Sequence, residues 1–269
     1  QTMPYLPASY RINGKHGPVL VAASTAHIKG DLSVEKLNKI HGWLQLAGLP
    51  IPPRPLNYQR ARSREITACE DTNLHLVWAP GRMFLKPLPQ YLLVEQFWQD
   101  HLVEDRQLYE LAFGLLLSYV ALIQYPSDFA IAQDTGLIDD DLEWDEWVDI
   151  AAKVLAQTNP GINKRYTYGE LRLSRLNKIF WAHGHLKGYH FPYQTYGEMF
   201  KANIAPVAGA TVYVALVLTA MQVGLATHAL ADSDVFHNAS YGFAVFSILA
   251  PIGVAMLVLL LILVYFFFN

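Results

Sequence analysis

From Ile204 to Ala231 the chain carries no Asp, Glu, Lys or Arg, and from Ala244 to Phe268 it again carries none. Each run exceeds the roughly 20 residues that cross about 30 Å of hydrocarbon as a helix. A soluble core helix of that length would keep a polar face. The two runs therefore read as membrane helices, joined by the short polar link DSDVFHN at 232–238. The expected fold class is an α+β cytosolic domain, mostly helical with a small antiparallel β-meander, plus a C-terminal transmembrane helical hairpin. The expected division is an irregular segment at 1–30, the cytosolic domain at 31–200 and the hairpin at 201–269.

The flanks set the orientation. Lys164, Arg165, Arg172, Arg175, Lys178, Lys187 and Lys201 precede the first run against Glu170 and Glu198, whereas the link carries Asp232 and Asp234 and no base. Positive charge stays on the cytosolic side, which puts the N-terminal part in the cytosol and the link on the opposite side. The sequon Asn238–Ala239–Ser240 falls so close to the membrane that it is expected to go unused. Net charge is −3, so no global electrostatic argument points to nucleic acid. One cysteine, Cys69, excludes an internal disulfide framework. Residues 1–30 lack the charged start and long apolar run of a signal peptide.

Before the membrane runs the patterning alternates between helix and strand. DLSVEKLNKIHGWLQLAG (31–48) reads as a helix with Asp31 or Ser33 as cap and Gly48 as stop. LPIPPRPL is a stiff, extended connector packed on its own domain. REITACE, LHLVW and MFLKP, separated by turn signals, read as a meander. YLLVEQFWQDHL and DRQLYELAFGLLLSYVALIQY read as helices, the second opening near Asp105, ending before Pro126 and forming the buried centre of the domain. Its apolar middle is short for a span. The acidic run at 139–145 opens another helix with Asp141 as cap and Trp144, Trp147, Ala151, Val154 and Leu155 inward; alternating calcium ligands with a glycine bend are missing. In the last helix Leu171, Leu173, Leu176, Ile179 and Phe180 face inward, opposite Arg172, Arg175 and Lys178. With Lys187, these basic residues are expected to touch anionic headgroups or simply to be solvated.

Motif chemistry is sparse. Asp134–Thr135–Gly136 and HGHLKG (183–188) resemble protease fragments, but no serine motif accompanies them. Phosphate loops and dinucleotide fingerprints are absent. His183, His185, Tyr189 and His190 are the candidate catalytic residues of a membrane-edge site; the bland reading makes the histidines interfacial. With one cysteine a structural zinc is not expected, no metal is assigned, and no cofactor is identified. His75, on an expected strand, is read as satisfied within the sheet.

The hairpin is more informative. Thr211, Ala215, Thr219, Gln222 and Ala226 recur at helical spacing and make one small, polar stripe. In lipid such a stripe must meet protein or water. Ala220 and Gly224 form a small-xxx-small pair beside it, and Ser247, Pro251 and Ala255 form a matching stripe on the second helix. The two stripes either pack on each other or, in a homo-oligomer, the first helices surround an axis lined by Thr219 and Gln222.

RPLNYQRARSREITACEDTNLHLVWAPGRMFLKPLPQYLL, GLLLSYVALIQYPSDFAIA, NKRYTYGELRLSRLNKIF, VLTAMQVGLAT and ASYGFAVFSILAP resemble a family of uncharacterised fungal membrane proteins, some labelled subtilisin-like serine proteases. The resemblance implies a membrane-attached architecture and assigns no site. In layout alone the chain is similar to the CorA-type two-span channels, whose Gly-Met-Asn signature is absent here. Three functions remain open: a homo-oligomeric two-span channel or transport protein with a regulatory cytosolic domain, a membrane-anchored enzyme acting on a lipophilic substrate at the cytosolic face, and a tether or scaffold. The lipid bilayer is the common partner.

Overall fold

The computed structural model describes residues 9–11, 18–20, 25–158, 161–185, 188–190 and 196–267. The chain divides into two compact units, 1–192 and 193–269.

The N-terminal unit begins with a two-stranded antiparallel ribbon, β1 (Ser9–Arg11) and β2 (Pro18–Leu20), followed by α1 (Thr25–Asp31). The expectation of an irregular segment to residue 30 is corrected here. The single helix expected at 31–48 is also divided: α2 spans Glu35–Lys39, and His41–Leu46 tightens into a 3-10 helix. The reason lies in Asp31. Its carboxylate is drawn to the Lys86 ammonium at 2.7 Å and the Tyr91 hydroxyl at 2.6 Å, so it does not cap a helix. Ser33 accepts the Glu35 N–H instead.

Further along come α3 (Leu56–Ala61), β3 (Glu65–Ala68), β4 (Val77–Ala79) and β5 (Arg82–Leu85). Next are α4 (Glu95–Phe97) with its π-helical extension Trp98–Leu102, α5 (Arg106–Leu122), α6 (Pro126–Asp134), α7 (Trp144–Leu155), β6 (Leu171–Arg172) and α8 (Leu173–Ala182). YLLVEQFWQDHL is not one helix: Gln90–Leu93 is 3-10, Val94 is extended, and the Leu92 carbonyl is taken by the Trp98 indole at 2.8 Å.

The three expected strands exist, but they do not pair as a meander. The sheet order is β3-β5-β4-β6, with β4 and β5 antiparallel and the β3–β5 and β4–β6 pairs parallel. The β4–β5 turn closes on Gly81, whose φ of +76° suits glycine. β3 then joins the free side of β5, and β6 arrives from far along the chain. Along β4 and β5 the side chains alternate with the pleat. Met83 and Leu85 join the core around α5, whereas Val77, Ala79 and Phe84 join a second core with α8 and the 37–47 segment. The sheet is thus the middle layer between two helical layers.

α5 is the buried centre of the first core, with Leu108, Ala112, Phe113, Leu115, Leu116, Tyr119 and Leu122 all enclosed. Asp105 caps it, accepting from the Gln107 and Leu108 amides. Gly114 is a contact point: a Cβ there would run into the Tyr166 ring. α5 turns by 117° into α6, where Pro126 opens the new helix and buried Asp128 caps it through the Gln124 and Tyr125 amides. Asp134–Thr135–Gly136 is a helix end, with Gly136 at φ +66°. On α7 the cap is Glu143, in a capping box with Glu146, rather than Asp141. Trp147 and Val154 are buried as expected, but Leu155 is 66 % exposed. On α8 every residue expected to face inward is buried: Leu171, Leu173, Leu176, Ile179 and Phe180.

The second unit is a helical hairpin: α9 (Tyr196–Leu225), a short α10 (His228–Ala231) and α11 (Asp234–Phe267). Ala208–Leu225 and Asp234–Gly253 are long and apolar enough to cross a membrane. The protein is an integral membrane protein, with a large, mostly helical N-terminal domain followed by this two-helix segment. The link is shorter than DSDVFHN, because α11 already starts at Asp234.

Candidate functional site

In the hairpin α9 presents Val214, Leu218, Met221 and Leu225 towards α11, a stripe at i, i+4, i+7 and i+11. α11 answers with small residues, Ser240, Ala244 and Ser247. At the closed end Gly224 allows Phe236 to approach; a Cβ there would lie 2.7 Å from the ring. Ala220 of the same pair stays exposed.

The small and polar stripe is therefore not the packing surface. Thr211, Ala215, Thr219, Gln222 and Ala226 are all exposed. Thr211, Ala215 and Gln222 stand on the wall of a groove beside the contact line, with Ser240 and Ser247 across it. Large aliphatic side chains of α9 take the close contact, and the polar stripe meets Ser240 and Ser247 only across the groove. The hydroxyls look after themselves. Thr219 donates to the Ala215 carbonyl at 2.8 Å, and Ser247 to the Phe243 carbonyl at 2.7 Å. Gln222 has no such recourse. Its amide lies exposed on the groove wall, and the enclosed Ser240 hydroxyl finds no partner among the described residues. The side chain of Ala255 lies outside those described.

At the end of α8 the histidines diverge. His183 is exposed, its Nδ1 2.8 Å from the Ile179 carbonyl and its ring edge-on to Trp43 at 5.6 Å. His185 is exposed beside Phe180, with ring centres 5.4 Å apart. His190 lies 5.9 Å from Phe84, and partial burial lowers its pKa against the opposing pull of Asp71. Tyr189 is buried and donates its hydroxyl to the Asn73 carbonyl; burial raises its pKa. Asn177 clamps this segment to α8. Its Oδ1 accepts the Tyr189 and His190 amides at 2.8 and 3.1 Å, and its Nδ2 donates to the His190 carbonyl at 3.0 Å. Gly188, at φ +68°, passes close under that amide. Among the described residues no three His, Cys, Asp or Glu side chains gather as metal ligands.

The basic residues also separate. Lys178 is on the open face of α8, whereas Arg172 and Arg175 line a groove with Arg54, Arg62 and Arg64. Lys187 lies outside the described residues.

Sequence reasoning missed a buried polar network behind the sheet. Lys86 is 1 % exposed and holds Asp31 and the Glu70 carbonyl, while Tyr119 donates to the Lys86 carbonyl. His75 precedes β4 rather than lying on it, and its main partner is outside the sheet: it reaches Ser118 Oγ of α5 at 2.8 Å with Nε2 and accepts the Lys86 amide with Nδ1. That pairing makes Nε2 the protonated nitrogen. Burial above all, then the Arg165 and Lys86 charges, holds its pKa well below 6.5. Arg165 is buried among backbone carbonyls, those of Tyr168, His75 and Gly169, and burial pushes its pKa down to about 10. The isolated cation Lys86 in the apolar run MFLKPLP was the sequence signal for this network; Arg165, beside Lys164 in NKRYTYGE, gave none.

Residues 24–251 match a family of unknown function, DUF6601. The chain belongs to that family. The match runs from α1 into α11, so the membrane segment and the N-terminal domain are matched together. No curated protein and no solved structure matches the chain.

Proposed function

We propose that the protein is a homo-oligomeric two-span channel or transport protein, whose N-terminal domain lies in the cytosol and regulates the path. Copies of α9 surround an axis and turn Thr219 and Gln222 towards it, with lipid on the aliphatic outside. The reading is carried by one observation: Val214, Leu218, Met221 and Leu225 of α9 are partly covered, whereas every residue of the Thr211–Ala226 stripe is exposed. A polar stripe in a bilayer has to meet protein or water, and an amide such as Gln222 gains most from a polar neighbour in another copy. Sidedness is argued from the basic residues before α9 and the acidic link after it. The histidine segment supports enzymatic chemistry less well, because each ring is turned to a different aromatic neighbour.

The test starts with the protein mass of the detergent-solubilised particle, from light scattering corrected for bound detergent. A discrete ring of several copies is expected, with ion flux in liposomes that drops about tenfold or more in Gln222→Leu or Thr219→Val. A monomer sinks the proposal, since two helices cannot enclose a water path. Flux unchanged by both substitutions sinks it as well.

A further inference from the structure

We infer that the arginine-lined groove between the Pro-rich segment and the β6 edge is a binding site for a phosphomonoester, carried either on a lipid headgroup or on a small soluble molecule. The groove encloses about 280 Å³. Its charged lining is Arg54, Arg62, Arg64, Arg172 and Arg175 against Glu170, which is +5 − 1 = +4. This stands out on a chain whose net charge is −3.

Glu170 does not neutralise the set. Its carboxylate is occupied by Arg64 at 2.7 Å, the Gln59 amide at 2.9 Å and the Arg54 backbone N–H at 3.3 Å. Among the described residues the guanidinium groups of Arg54, Arg62, Arg172 and Arg175 have no carboxylate in ion-pair range. Arg54, Arg62 and Arg172 are positioned by aromatic rings instead, and Arg175 donates to the Leu46 carbonyl at 3.1 Å. Arg64 and Arg172 lie over Trp78 at 4.2 and 5.2 Å; Arg54 and Arg62 lie over Tyr58 at 4.8 and 5.6 Å.

Stacking fixes the plane of a guanidinium while leaving its N–H edge unspent. The Arg172 Nε is enclosed and has no partner among the described residues, so a donor is already desolvated and open. Several preset forks around one small cavity suit a tetrahedral dianion better than a planar carboxylate.

The backbone explains the convergence. Gly169 donates to the Ile51 carbonyl and Arg172 to the Ala47 carbonyl, both at 2.9 Å, so the Pro-rich segment runs beside β6. A Cβ on Gly169 would lie 2.7 Å from the Pro53 nitrogen. Parallel pairing of β4 with β6 sets Arg172 opposite Trp78.

The experiment is calorimetric titration of the full-length protein in phosphate-free maltoside detergent. The probes are glycerol phosphate and short-chain phosphatidic acid, which share the phosphomonoester, with short-chain phosphatidylcholine as the diester control. Saturable, salt-sensitive binding of at least one monoester is expected, weakened about tenfold or more in Arg172→Gln and in Arg62→Ala/Arg175→Ala. Arg60→Ala, whose arginine pairs with Asp134 away from the groove, is expected to bind normally. Arg62 and Arg175 are exposed, so their double variant keeps the test valid if Arg172→Gln folds poorly. Binding of both probes assigns a free phosphomonoester; binding of phosphatidic acid alone assigns a headgroup. No saturable binding of either, or equal affinity in the groove variants and Arg60→Ala, overturns the inference.

Discussion

The polar network behind the sheet and the polar stripe of the membrane hairpin are answered in opposite ways. Behind the sheet, Lys86, Asp31, Tyr91, His75, Ser118 and Arg165 all find partners within the domain. In the hairpin the Gln222 amide lies exposed along the stripe, and the enclosed Ser240 hydroxyl finds no partner among the described residues. The cause is the supply of backbone groups. A small sheet with 3-10 turns and loops has spare carbonyls and amides to offer. Two regular helices consume theirs internally, so a side chain can only fold back on its own helix, as Thr219 does, or look outside.

The largest expected effect tests the first half of that contrast. Asp31→Ala strips the counter-charge from a nearly fully buried ammonium and the acceptor from Tyr91. Denaturant unfolding of the N-terminal domain, followed by tryptophan fluorescence, should show a loss of about 3–5 kcal/mol. A loss below about 1 kcal/mol would mean that Glu70, itself 81 % exposed at the side chain, carries Lys86 alone.

Acid supplies a smaller lever. His75 is neutral when folded and protonates near pH 6.5 when unfolded. Above that pH neither state holds the proton and the stabilisation is complete. Below it the unfolded chain takes up a proton that the folded one refuses. Stability therefore falls with pH, by up to about 1.4 kcal/mol per unit, until the folded value is reached. The slope just below pH 6.5 should flatten in His75→Gln; an unchanged slope would place the titration elsewhere.

The smallest effect on stability is the sharpest test of the contrast. Gln222→Leu should leave unfolding of the N-terminal domain within about 0.5 kcal/mol of the parent while changing the mass of the detergent-solubilised particle. A destabilised domain with an unchanged particle would erase the distinction between the two regions.

Periodic features were legible in the sequence. The membrane runs, the Asp105 cap, the burial of α5, the inward face of α8 and the existence of three strands follow from local patterning, because hydrophobicity and its period are written into consecutive residues. Sheet order was not legible, since β3 pairs with β5 rather than with its neighbour in sequence, and β6 comes from beyond residue 170. The break after Asp31 was hidden for a similar reason: its partners lie at positions 86 and 91. The acidic helix start was recognised, yet its cap moved from Asp141 to Glu143, the shift of one or two residues that local rules leave open.

Sequence by itself determined that this chain has a membrane hairpin, that a mostly helical mixed domain precedes it, and that a small polar stripe runs along the first membrane helix. Each is a property of residues close in the chain, set by transfer of side chains from water and by helix periodicity. Tertiary structure decided which side of α9 meets α11, which cations are answered inside the domain, and that arginines from 54 to 175 share one groove. Those outcomes depend on shape complementarity and on pairings between distant segments, where large aliphatic side chains displaced the polar stripe from the helix contact and aromatic rings, rather than carboxylates, took the guanidinium faces.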